Sequence, residues 1–142
     1  MAPFDWKTNK GHYLMVLEVK EEQGLQVGRL GRFVLDPGTY CYVGRARRNL
    51  KQRIARHSRS EKSPRWHIDH LLPHANLTAV FLFPERGTDE CRIAKRLVGM
   101  GGRPHPPRFG ASDCRCRGHL IHFDLPCNRW IAKVGLALPG LP

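Results

Sequence analysis

Acidic residues are scarce in this chain. Twelve Asp and Glu stand against 24 Lys and Arg in 142 residues, a formal net charge of +12. Like charges repel, so the excess does nothing for a monomer's stability and makes sense with a polyanionic partner. Long apolar runs are also missing. None approaches the roughly 20 residues that a membrane span needs, so no membrane is expected among its partners. No basic start followed by an apolar stretch marks a secretory signal. The cysteines number five, an odd count that does not suit a disulfide framework. Reduced thiols in a cytoplasmic protein are the expectation. Internal repeats and low-complexity linkers are absent as well, and the length suits one ordinary domain that can bury a core without a disulfide or metal staple.

What is present reads as strands first. Residues 1–10 are expected to be a mobile lead-in. His12–Lys20 (HYLMVLEVK) is rich in Tyr, Leu and Val and predicts a strand with a buried face. Gln23-Gly24 predicts a turn and Leu25–Leu30 a short return strand. Arg32–Leu35 is apolar, and Asp36-Pro37-Gly38 is a strong turn. Gly38–Gly44 (GTYCYVG) predicts a second strand with Tyr40 and Tyr42 on one face, because side chains alternate.

A helix follows. Asn49 is its candidate N-cap, Leu50, Ile54 and His57 share a stripe, Arg53 lies one turn before His57, and Pro64 ends the segment. Trp66–Leu72 predicts a short helix stopped by Pro73, and Leu77–Phe83 a strand. A helix capped by Thr88 or Asp89 runs to about Val98 and ends at Gly99. Residues 101–112 form a loop, Gly118–Leu125 a late strand, and Trp130–Leu138 a strand or helix docking on the core. The order predicts an α+β fold: a small, hairpin-based antiparallel sheet flanked by helices. One domain spans 1–142, with its core at about 11–124 and the segment 125–142 docked on it.

The positive charge is concentrated. Between Arg45 and Arg65 stand nine cations, Arg45, Arg47, Arg48, Lys51, Arg53, Arg56, Arg59, Lys62 and Arg65, opposed by Glu61 alone. A solvated helix face usually mixes signs. A run of one sign points to phosphates, with Arg45, Arg47, Arg48, Lys51, Arg56 and Arg59 as backbone contacts.

Tyrosine–glycine pairs bracket the two strands. Gly11-His12-Tyr13 opens the first and Tyr42-Val43-Gly44 closes the second, so an antiparallel pairing would bring Tyr13 near Tyr42. With Arg53 eleven residues after Tyr42 and His57 four later, the pattern resembles the GIY-YIG nuclease superfamily. GTYCYVGRA, RWHID at Arg65–Asp69, ECRIA at Glu90–Ala94 and FGASDCRC at Phe109–Cys116 resemble its Uri-type endonuclease branch, over roughly residues 11–124. The chain departs from the pattern at His12, where Ile is usual, in the long Val19–Gly38 connection, and in Arg45 directly after Gly44.

The resemblance implies a metal-dependent endonuclease that hydrolyses DNA phosphodiester bonds, in repair or processing, with RNA not excluded as substrate. It implies Glu90 as ligand of Mg²⁺ or Mn²⁺, with Glu85 as rival. Arg53 would clamp the scissile phosphate and Tyr13 would act as base or water-positioning phenol. Tyr42 would position water or phosphate, and His57 would shuttle a proton or donate to phosphate. A nucleic-acid-binding module that keeps the fold without catalysis is the alternative. A third reading is an RNA-directed or repair-accessory protein. A chain this small is expected to be structure-selective, weakly specific, a homodimer or dependent on a partner protein.

Two further clusters are candidate metal sites. Cys114, Cys116 and His119, with Cys91 or Asp113, contain the ligand types of a structural zinc site, but the one-residue gap between Cys114 and Cys116 is tighter than the usual two to four. A polar turn packed on the catalytic face is therefore the preferred expectation there, over zinc. His67, His70 and His74 fall at helical spacing, but Pro73 interrupts them, and Trp66-His67-Ile68-Asp69 is expected instead to anchor the second helix, with Asp69 bonding a neighbouring Arg or His.

Overall fold

A computed structural model describes residues 9–57, 66–83, 88–111 and 114–135. The lead-in 1–8, Arg59, Pro64, Glu85, Asp113 and the tail beyond residue 135 lie outside them, and with them Glu61, Lys62 and Arg65 of the charged run.

The strands are β1 (Gly11–Val19), β2 (Gln23–Val27), β3 (Gly31–Leu35), β4 (Gly38–Ala46), β5 (Asn76–Phe83), β6 (Arg103–Pro104) and β7 (Leu120–Phe123). The helices are α1 (Leu50–His57), α2 (His67–Leu71), α3 (Glu90–Gly99) and α4 (Cys127–Lys133). A five-stranded antiparallel sheet has the order β5-β1-β4-β7-β6, and β2 and β3 pair as a separate two-stranded sheet. The expected α+β class, an antiparallel sheet flanked by helices, is borne out.

β1 and β4 are central and buried almost throughout, which is why neither alternates apolar with polar. Helices cover both faces. Tyr13, Met15, Leu17, Tyr40 and Tyr42 pack on Leu50 of α1 and on Ile68 and Leu71 of α2. Leu14, Val16, Cys41 and Val43 pack on Ile93 and Leu97 of α3 and Trp130 of α4. Each fully buried Leu, Ile or Met contributes on the order of 1.5–3 kcal/mol. The hairpin β2–β3 sits within the β1-to-β4 connection, and its Leu25, Val27 and Leu35 extend the first of these cores. The long Val19–Gly38 connection is thus structured and leaves the β1–β4 register undisturbed.

The C-terminal segment docks as the helix α4, with Trp130 fully buried. Its first turn is held by Glu18 of β1, whose Oε1 accepts the Cys127 N–H at 2.9 Å. The expected loop 101–112 contributes the two-residue edge strand β6. At α3, Asp89 provides the cap, its Oδ1 accepting the Arg92 N–H at 2.8 Å.

The start of α1 corrects two expectations. Asn49 stands at the cap position, with its carbonyl accepting the Arg53 N–H, but its backbone is left-handed (φ 57°). The first-turn N–H groups are satisfied by Asn9, whose carbonyl takes Leu50 N–H at 3.0 Å and whose Oδ1 takes Lys51 N–H at 2.9 Å. Asn9, expected in a mobile lead-in, therefore acts as the cap of α1.

Candidate functional site

Antiparallel pairing places the start of β1 beside the end of β4, with Tyr13 opposite Gly44 and Met15 opposite Tyr42. Tyr13 and Tyr42 share one face, their ring centroids 6.3 Å apart. The glycine of Tyr42-Val43-Gly44 has a steric reason. The Tyr13 ring lies directly over Gly44, where a Cβ would collide with its Cζ and hydroxyl.

α1 follows β4 and returns His57 to the back of Tyr13. The Tyr13 hydroxyl and His57 Nε2 share a 3.0 Å hydrogen bond, and both side chains are buried. Burial pushes the Tyr13 phenol up to about 12 against the opposing pull of the Arg53 guanidinium. Burial also holds Tyr42 well above the ordinary phenol value. Both are therefore neutral phenols at neutral pH.

Arg53 lies one turn before His57. Its guanidinium donates to the Arg45 carbonyl and stacks 4.7 Å from the Trp66 ring centroid. Arg56 packs on the same ring at 4.5 Å and pairs with the buried Asp69 at 2.9 and 3.0 Å. Asp69 also accepts the Trp66 N–H at 2.9 Å, so Arg56, Asp69 and Trp66 anchor α2 to α1.

These elements enclose a cleft of about 700 Å³ lined by Tyr13, Tyr42, Arg45, Arg47, Arg48 and Arg53, with Glu90 at the start of α3. Lys51, Arg56 and His57 do not line it. Lys51 is exposed, Arg56 is held by Asp69, and His57 lies behind Tyr13. Asp89 and Glu90 are the acids lining the cleft among the described residues, and Asp89 is engaged as the α3 cap. Glu90 lies near Arg45 and Arg53, with its Oε2 3.5 Å from His119 Nδ1. Burial raises its carboxyl above the usual range, and His12 and Arg45 oppose that shift. His12, where the resemblance would have Ile, is buried and exerts the larger of these opposing pulls.

Directly beyond Glu90 stands Cys91. Its Sγ, those of Cys114 and Cys116, and a His119 ring nitrogen all lie within 4.8 Å of one another. His119 Nε2 is 3.6 Å from Cys91 Sγ and 3.4 Å from Cys114 Sγ. The loop is fixed from below: His119 N–H donates to Phe109 O at 2.7 Å, and Val43 N–H of β4 to His119 O at 2.9 Å. Arg108 donates to the carbonyls of Cys116 and Ala111. Burial pushes the Cys91 and Cys116 thiols up. The short Cys-x-Cys gap favoured a polar turn, but α3 delivers the third thiol, and the four side chains are a donor set able to hold a metal ion. His67 does not join His70 and His74 in such a set. Its Nδ1 accepts the Gly110 N–H at 2.8 Å.

Sequence reasoning missed Asn9 and the pull of His12 on Glu90. The expected anchoring of the second helix by Trp66–Asp69 is seen, and Arg56 is the neighbouring cation that Asp69 binds. The family model of a domain of unknown function, DUF123, matches residues 12–135. No curated protein and no solved structure matches the chain. Among the described residues, no helix is long and apolar enough to cross a membrane.

Proposed function

With the chain a member of the DUF123 family, matched over most of its length, we propose that it is a GIY-YIG-type, divalent-metal-dependent endonuclease acting on DNA. One observation carries the reading: a single basic cleft gathers Tyr13, Tyr42, Arg53 and Glu90, far apart in sequence, at the joined ends of β1 and β4. Three more arginines, Arg45, Arg47 and Arg48, line the same cleft and suit the neighbouring phosphates of a strand.

Glu90 fits the role of metal ligand. It is a carboxylate on the cleft wall not engaged as a helix cap, and Mg²⁺ takes one or two carboxylates while keeping waters and substrate oxygens. Bound there, Mg²⁺ or Mn²⁺ would supply positive charge at the phosphate and a more acidic water. Arg53 offsets the charge that develops on the scissile phosphate. Trp66 and the Arg45 carbonyl already hold its guanidinium, so it acts with little reorganisation. Tyr13, a neutral phenol, positions the attacking water and passes a proton through its hydroxyl to His57 behind it. Tyr42 packs beside it and orients the same water or a phosphate oxygen.

The test incubates supercoiled plasmid, and RNA in parallel, with the full chain and Mg²⁺ or Mn²⁺. Arg53→Ala and Glu90→Ala should each lower nicking by about 10²–10³-fold, the usual loss for a transition-state charge contact. No nicking by the wild type with either metal removes the enzyme reading. Tight, steeply salt-dependent binding without cleavage would then mark a binding module. Equal nicking by wild type and both variants removes the site assignment.

A further inference from the structure

A tetrahedral zinc, with Zn–S of about 2.3 Å and Zn–N of about 2.0 Å, sets its ligand atoms about 3.5–3.8 Å apart. His119 Nε2 stands at 3.6 Å from Cys91 Sγ and 3.4 Å from Cys114 Sγ, and Cys116 completes the group within 4.8 Å. Both distances from the imidazole match such a shell, and the four side chains supply the ligand count of a site closed by protein. Three sulfurs and one imidazole select a soft ion such as zinc over Mg²⁺ or Mn²⁺. The cluster is therefore a different site from the one proposed at Glu90.

The other nitrogen of the same ring is buried and makes no hydrogen bond. His119 Nδ1 lies 3.5 Å from Glu90 Oε2, with the Gly110 carbonyl as the other nearby acceptor. A metal-bound histidine almost always donates its remaining N–H to a carboxylate, a carbonyl or water, which fixes its ring and the partner. Glu90 and Cys91 are adjacent in the first turn of α3, so a metal held by Cys91 also fixes the backbone that carries Glu90.

We propose that Cys91, Cys114, Cys116 and His119 form a closed structural zinc site whose histidine, through Nδ1, holds the Glu90 carboxylate in place at the cleft. The zinc pins the 114–119 loop to α3, and Glu90 is at once the outer partner of the zinc-bound histidine and the cleft carboxylate. The coupling to catalysis rests on the nuclease reading of Glu90. The zinc site does not.

Metal content and affinity, measured without DNA, test both parts. The full chain purified under reducing conditions should hold about one zinc, and Co²⁺ in its place should give thiolate-to-cobalt charge-transfer bands. Cys114→Ser should lose these, while Cys41→Ala, in the core, should keep them. Should Cys114→Ser not fold, the wild-type cobalt spectrum still decides. A wild-type chain that takes up neither Zn²⁺ nor Co²⁺ when reduced, or whose cluster cysteines are joined as a disulfide as purified, overturns the site. Glu90→Ala should weaken zinc affinity about 10–100-fold in chelator competition, and Glu90→Gln, which keeps an acceptor oxygen, by less. Wild-type affinity in Glu90→Ala overturns the coupling and leaves the Gly110 carbonyl to orient His119. A zinc-loaded chain that never nicks DNA removes the nuclease reading alone, and a nicking chain without zinc removes the zinc site alone.

Discussion

Replacing Gly44 by alanine should damage this protein through one side chain, Tyr13. Gly44 lies in the extended strand β4, a backbone that alanine adopts without strain. The added methyl would strike Tyr13 Cζ and lie 2.5 Å from its hydroxyl and 2.9 Å from Cε1. Ordinary carbon contacts are about 3.5–4.0 Å, so the ring must retreat by about 1 Å. It is fully packed and hydrogen-bonded to His57 at 3.0 Å, so it cannot retreat freely. Overpacking of this kind costs about 1–3 kcal/mol. Displacing a reacting group by 1 Å costs on the order of 10²-fold in rate. The assay is a double-mutant cycle by urea unfolding: wild type, Gly44→Ala, Tyr13→Leu and the double variant. Leucine keeps apolar bulk but ends short of the Cζ position. Gly44→Ala should cost about 1–3 kcal/mol beside Tyr13 and less than about 0.5 kcal/mol beside leucine, a coupling well above the usual additivity error. The same loss in both backgrounds would refute the steric account of this glycine.

Two other predictions separate structure from chemistry. Arg56→Ala strips the buried Asp69 of its guanidinium and should cost about 3 kcal/mol, the lower end for a broken buried pair. Its DNA binding should keep the wild-type salt slope, whereas Arg47→Ala, in the cleft, should lower that slope by about one. An unchanged stability with a reduced slope for Arg56→Ala would place that residue on phosphate instead. His122 is buried and its Nε2 bonds the Pro37 carbonyl at 3.0 Å, with burial lowering its pKa below the usual histidine value. The unfolded chain then binds the proton first, so stability is lost as pH falls from about 6.5 toward the lowered folded value, by at most about 1.4 kcal/mol per pH unit. His122→Gln should flatten the fall in unfolding free energy between pH 7.5 and 5, and identical pH profiles for the two proteins would contradict this.

Much of the fold was legible because its signals are local. The apolar runs of β1, β4 and β5 and the Asp89 cap each depend on neighbours within a few residues. The cation run after Gly44 was equally plain, and four of its arginines do line one cleft. Sequence could not tell which cations face that cleft. Arg56 differs from Arg53 by three positions on one helix, yet Asp69, thirteen residues on, holds it outside the cleft. Nor could spacing alone judge Cys114-x-Cys116, because the third thiol arrives from α3, more than twenty residues earlier.

By itself, then, the sequence determined the strand–helix order, the sign and place of the charge, and the types of residue available for chemistry. These follow from short-range propensity and composition, which act along the chain. The tertiary structure alone decided that the Tyr13 phenol lies over Gly44 and against His57, that Asn9 caps α1, and that Cys91 meets Cys114, Cys116 and His119 beside Glu90. Each joins residues brought together by strand register or helix packing, and such contacts form only once the core has closed around them.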